Sequence, residues 1–102
     1  MNAVIKRIAA ARLAEIRRQS LERQTDLIWV KEHQFCDSRK WRFDFACPEI
    51  AIAIEIDGGV WTRGRHSRGT GQVADMEKIN TAQLFGWIVL RYTPQQFDGW
   101  AW

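Results

Sequence analysis

Residues 51–59, AIAIEIDGG, constrain this chain more than any other stretch. Positions 51–54 are all apolar, so as a strand the segment presents apolar side chains on both faces and must be covered on both. At its end stand two carboxylates, Glu55 and Asp57, followed by Gly58 and Gly59. Ionised groups ending such a strand are costly unless they are paired, hydrogen-bonded or bound to a cation. One turn earlier lies KWRFDFA, whose single acid is Asp44. Three carboxylates on adjoining strands point to a metal site.

The rest of the chain supplies the elements around that strand. Residues 2–23 read as a helix: Val4, Ile5, Ile8, Leu13, Ile16 and Leu21 recur at helical spacing, and alanines at 9–11 and 14 favour helix by propensity. Residues 27–35, rich in Ile, Trp and Val, read as a strand. Residues 40–46 alternate, with Trp41, Phe43 and Phe45 expected on one face and Arg42 and Asp44 on the other. Pro48-Glu49 makes a tight turn into a central strand over 50–57, with Ile52, Ile54 and Ile56 facing one way and Ala51, Ala53, Glu55 and Asp57 the other. Residues 58–72 hold five of the seven glycines and three arginines without apolar period, and read as a loop. A helix is predicted over 73–85 with Gly86 as its stop, then a strand over 87–92 ended by Pro94. In the tail, 95–102, Trp100 and Trp102 are expected to pack back on the domain. The order α-β-β-β-α-β predicts an α/β fold with a mixed four-stranded sheet flanked by helices: an antiparallel meander, then a right-handed crossover to a fourth strand parallel to the third.

A chain of 102 residues holds one core, so we expect a single domain with an N-terminal helix (1–26), a core (27–94) and a tail (95–102). Its 46% hydrophobic and 26% charged residues are those of a globular protein, and the net charge of +3 permits a nucleic-acid partner. Arginines cluster in 7–23 and 63–68. Cys36 and Cys47 form no C-x-x-C pair and have no histidine at zinc-ligand spacing, so reduced thiols in a cytoplasmic protein are expected. No signal-peptide core or membrane-length apolar run is present, and no membrane partner is expected.

Strand pairing explains why the acids converge. If Ala46 lies opposite Ala51, then Asp44 lies opposite Ala53 and Glu55 is its diagonal neighbour on the same face. Such neighbours are roughly 7–8 Å apart. Two carboxylates at that spacing can share one cation, with oxygen–metal distances of about 2.0–2.1 Å for Mg2+. A slip of one residue would separate them across the sheet. Asp57 points to the same face, and the small Ala51 and Ala53 leave room for a helix there. The crossover returns the start of the second helix to this end of the strand, where Asp75 and Lys78 share one helical face and Lys78 reaches toward Glu55 and Asp57. Acids at a strand end are often merely solvated, and an isolated lysine is often a surface ion pair. Three acids on one face beside a basic glycine loop favour a site.

An acid, about ten residues, then Glu55-Ile56-Asp57 resembles the core of the PD-(D/E)XK nuclease superfamily, whose motif is an acid, a spacer, then acid-x-lysine. The ordered segments WRFDFACPE, AIEIDGGVW, GRHSRGTG, DMEKINTAQLFGW and VLRYTP are similar to small phage and bacterial endonuclease-like proteins related to the very-short-patch-repair endonucleases, over roughly residues 28–94. The resemblance implies a restriction-endonuclease-like fold and a metal-dependent phosphodiesterase acting on DNA, with Asp44 and Glu55 as metal-binding acids. Asp57 stands where lysine is usual. Three accounts follow: Asp57 is a further metal ligand, Lys78 supplies the missing charge from the helix, or the protein is catalytically impaired. Lysine migrates to that helix in related nucleases, so Lys78 ranks first. Some members add an acid from the first helix, which makes Glu15 and Glu22 candidates; Glu32 on the first strand is another.

The chemistry expected of such a site is in-line attack of a metal-activated water on an anionic phosphorus. Mg2+ suits all-oxygen ligands and phosphate, and Mn2+ fits the same set. In the loop, Arg63, Arg65 and Arg68 are expected to bind DNA phosphates, and His66 to protonate the leaving oxygen or contact phosphate. Trp61 reads as a core anchor, Asn80 and Arg91 as structural, and His33 has no assigned role. The leading expectation is an Mg2+-dependent endodeoxyribonuclease in repair, recombination or phage DNA processing, nicking as a monomer or cutting both strands as a homodimer. The alternatives are a nuclease-fold DNA-binding module without activity, or an interaction protein whose acids face solvent.

Overall fold

A computed structural model describes residues 2–57 and 70–99. Helix α1 (Ala3–Thr25) starts at Asn2, whose Oδ1 accepts the Ile5 N–H at 2.9 Å. It ends at Asp26 in the left-handed conformation, whose N–H returns to the Glu22 carbonyl. Strand β1 (Val30–Gln34) begins later than the composition predicts because the helix end captures Trp29. The Trp29 backbone N–H donates to Glu22 Oε2 at 3.1 Å and its indole N–H to Thr25 Oγ1 at 2.9 Å. Only Leu21 is buried along α1. Ile5, Ile8 and Ile16 lie about 140–160° around the helix from Leu21, and all three are at least half exposed. The apolar spacing that identifies the helix therefore does not mark its buried face.

Strands β2 (Arg42–Cys47), β3 (Ile52–Ile56) and β4 (Ile88–Tyr92) complete a mixed sheet of order β1-β2-β3-β4. The first two pairings are antiparallel and β3 runs parallel to β4, as the element order predicts. Helix α2 (Thr70–Leu84) makes the crossover and starts earlier than the glycine-rich sequence before Val73 indicates. Its C-terminus is a Schellman motif: Trp87 N–H bonds the Ala82 carbonyl, Gly86 N–H bonds that of Gln83, and Gly86 takes φ +93°. The tail forms a short helix α3 (Pro94–Gly99) that buries Phe97; Trp100 and Trp102 lie outside the described residues.

Two departures from the expected strands shape the sheet. The β2–β3 turn occupies residues 48–51, with Ile50 N–H bonded to the Cys47 carbonyl and Ala51 at φ +54°. Cys47 consequently pairs with Ile52 and Ala46 with Ala53, a shift of two residues from the expected register. The second departure is on β1 and β2. Phe45 packs with Leu21, Trp29, Cys47, Ile54 and Phe97 on the α1 side, whereas Phe43 packs with Ala46, Ala53 and Ala82 on the α2 side. The expectation that Phe43 and Phe45 share a face is thus corrected. β1 turns over at the same level: Lys31 pairs with Glu15 of α1, but the His33 ring lies 5.3 Å from that of Trp87 on the other side.

Glu32, at φ +52°, is the hinge of this turnover. No residue is inserted, since Lys31 pairs with Phe45 and His33 with Phe43 on either side of it. A left-handed non-glycine residue costs about 1–2 kcal/mol, and fully burying a side chain such as Phe43 returns about 1.5–3 kcal/mol. The turnover therefore stands. On β3 the alternation is regular, and Ala53 lets α2 approach through Ala82. Both cysteines are free, buried thiols. Among the described residues, no helix is long and apolar enough to cross a membrane.

Candidate active site

The register shift of two residues changes the cross-strand neighbour of each side chain on β2 and β3. Asp44 now stands directly across from Glu55 instead of diagonal to it. The backbone ladder stops one residue short of this pair, at Phe45 and Ile54. In its place the side chains take the amides of the opposite strand. Asp44 N–H donates to Glu55 Oε2 at 3.1 Å, and Ile56 N–H donates to Asp44 Oδ2 at 2.8 Å. Each carboxylate is held by the strand carrying the other.

From α2, Lys78 Nζ donates to Glu55 Oε1 and lies 5.7 Å from the centroid of the Phe43 ring. The two side chains are only 15% and 14% exposed, so the pair is largely out of water. Phe43 lies on the α2 side of the sheet with its register partner His33, and its ring face adds to the cation's stabilisation. Burial pushes the Glu55 carboxyl above the usual carboxylate range, Asp44 adds to the rise, and Lys78 opposes it.

Asp57 does not join them. Its Oδ2 bonds Arg91 of β4, whose other guanidinium arm reaches Asp75 Oδ2 of α2 at 2.8 Å. Burial alone would lower the Arg91 pKa, but the two acids outweigh it and raise it. Glu15 is engaged elsewhere too, with Arg18 at 2.6 Å, Lys31 at 2.8 Å and Gln19 at 3.1 Å. Arg18 first, then Lys31, hold its carboxyl well below the usual range. Glu22 bonds Arg18 and the Trp29 amide. Glu32 lines a cleft of about 430 Å³ between α1 and the sheet, together with Ala10, Ala14, Phe45, Ile56 and Asp44. Trp61, Arg63, Arg65, His66 and Arg68 lie outside the described residues.

Among the described residues, no three His, Cys, Asp or Glu side chains form a group able to hold a metal ion. The donor set brought together is the pair Asp44 and Glu55. That pair fits Mg2+ on chemistry: the ion binds through one or two carboxylates and keeps several waters for substrate oxygens to replace. Mn2+ accepts the same donors. Compared with protein-family models, with curated proteins and with solved structures, the chain matched none.

Sequence reading missed the Asp75–Arg91–Asp57 bridge. Its one signal was the i,i+3 spacing of Asp75 and Lys78, which puts both side chains on one face of the helix. Arg91 is the second partner, and its place beside Glu55 follows only from the parallel register.

Proposed function

We propose that this protein is an Mg2+-dependent DNA endonuclease on a restriction-endonuclease-like core, serving repair, recombination or phage DNA processing in the cytoplasm. The supporting observation is the meeting of Asp44, Glu55 and Lys78 on three different elements. Asp44 and Glu55 would hold the ion, which supplies Lewis acidity and a more acidic bound water. Asp44 and Glu55 are pre-oriented by the opposing strand amides, so they need no reorganisation when charge develops nearby. Lys78 opposes the rise in proton affinity that burial gives Glu55 and places a positive charge beside the carboxylate pair, the role the resemblance gives to the lysine replaced by Asp57. Of the three accounts of that replacement, the contact of Lys78 with Glu55 supports Lys78 as substitute. Arg63, Arg65 and Arg68 would track DNA phosphates and His66 would serve the leaving oxygen.

One observation favours the alternative, a nuclease-fold DNA-binding module without activity: Asp57 is engaged by Arg91, and the described residues offer two carboxylates to an ion rather than three. Nicking of supercoiled plasmid in Mg2+ separates the readings. Wild type is expected to nick, Asp44→Ala to lose nicking while still binding DNA, and Lys78→Met to slow it by about 100-fold, the scale of losing one preorganised electrostatic group. Nicking by Asp44→Ala at the wild-type rate would overturn the site. Wild type that binds DNA yet cleaves no form of it would establish the module.

A further inference from the structure

We propose that Arg91 is a positioning residue: by bridging Asp57 and Asp75 it fixes α2 on the sheet so that Lys78 meets Glu55. Arg91 and Glu55 are register partners on adjacent parallel strands, so their side chains share the α2-facing side. Arginine pairs with carboxylates more readily than lysine does, and by register Arg91 is the natural cross-strand partner of Glu55. It instead turns to Asp57 and Asp75. Those two acids hold it off Glu55 and leave that carboxylate to Lys78.

The helix contributes the second half of the arrangement. Asp75 and Lys78 lie one turn apart on a single face of α2. Asp75 lands on Arg91 of β4 and Lys78 on Glu55 of β3, so the helix is fastened to two neighbouring strands at two points. Buried Ala82 seats the C-terminal half of α2 on the sheet, and the two ion pairs constrain the rotation and register of its N-terminal half. The charges divide accordingly into two clusters, Asp44 and Glu55 with Lys78, and Asp57 and Asp75 with Arg91. Each cluster carries one net negative charge. The Arg91 cluster is the more exposed, at 44% for both Arg91 and Asp75. Exposed ion pairs contribute little to stability, so replacing Arg91 perturbs placement more than folding.

Placement of Lys78 is read directly by the reactivity of its amine. Acetic anhydride footprinting with mass spectrometry compares Lys78 with the exposed Lys40 and with Lys31, which is paired to Glu15 on the other side of the sheet. In wild type, Lys78 is expected to label more slowly than Lys40. Arg91→Met is expected to raise Lys78 labelling several-fold without changing Lys31, and Arg91→Lys to restore most of the protection. Asp75→Asn, which keeps Arg91 but cuts its tie to the helix, is expected to act like Arg91→Met. Wild-type labelling of Lys78 in Arg91→Met and Asp75→Asn would overturn the proposal, as would equal rises at Lys31 and Lys78 in those two variants. The catalytic meaning of this placement rests on the nuclease reading. In a protein that nicks, Lys78→Met, Arg91→Met and the double variant should lose activity to similar extents, and additive losses would overturn positioning. A protein that does not nick fails the nuclease reading alone, because the footprint still decides the role of Arg91.

Discussion

Glu55 is where the opposing pressures on this molecule concentrate. It is mostly buried across from a second carboxylate, and its proton affinity rises although Lys78 works against the rise. The folded state therefore holds this proton more tightly than the unfolded chain does. Stability then falls as pH rises from the ordinary carboxylate range through the raised folded value. Glu55→Gln should remove this falling component, so urea unfolding between about pH 4 and about pH 8 should give a flatter stability profile than wild type. Parallel profiles for the two proteins would show that Glu55 is not under this strain. Asp98 has the opposite sign: its bonds to Arg17 hold its carboxyl down, so its stabilisation is present above the usual range and is lost on acidification. The strand-end position of Glu55 and its apolar neighbours were legible in the sequence, and so was Lys78. The identity of the group opposite Glu55 was not, because it depends on the length of the β2–β3 turn.

The C-terminal end of α2 fell where its local signal put it. Gly86 ends α2 because the Schellman motif requires a residue at positive φ. Asn2 begins α1 because its side chain satisfies a free helix amide. The β2–β3 turn carried a misleading signal. Pro48-Glu49 marks the turn, but the residue that takes the left-handed conformation is Ala51, which has no preference for it. That strain yields a prediction: Ala51→Gly should stabilise the protein by about 0.5–1 kcal/mol, the left-handed penalty less the entropy glycine loses. The urea midpoint should rise with an unchanged m-value; a lower midpoint would mean that Ala51 contributes packing that outweighs its strain. The turnover of β1 and β2 at Glu32 was not legible either. Alternation predicts faces only while every residue keeps strand dihedrals, and nothing in the type of Glu32 announces that it does not.

For the whole molecule, the order of helices and strands determined the sheet. Three strands in succession meander, and a strand–helix–strand unit crosses over to parallel. The net charge of +3 and the arginines at 63, 65 and 68 carry the proposed affinity for DNA. If all three contact phosphates, replacing them with Gln should make the slope of log affinity against log salt shallower by about 3 for duplex DNA. An unchanged slope in a filter-binding series would remove these residues from the interface. The sequence by itself determined the α/β architecture, the strand that carries Glu55, the presence of Asp44 on its neighbour and the helical spacing of Asp75 and Lys78. These are local periodicities and connection lengths, and short-range sterics dictate them. Only the tertiary structure decided that Asp44 faces Glu55 directly, that Lys78 rather than Arg91 takes that carboxylate, and that Asp57 is drawn away from it. Those choices depend on strand register and on competition among charges far apart in the chain. No local pattern encodes either.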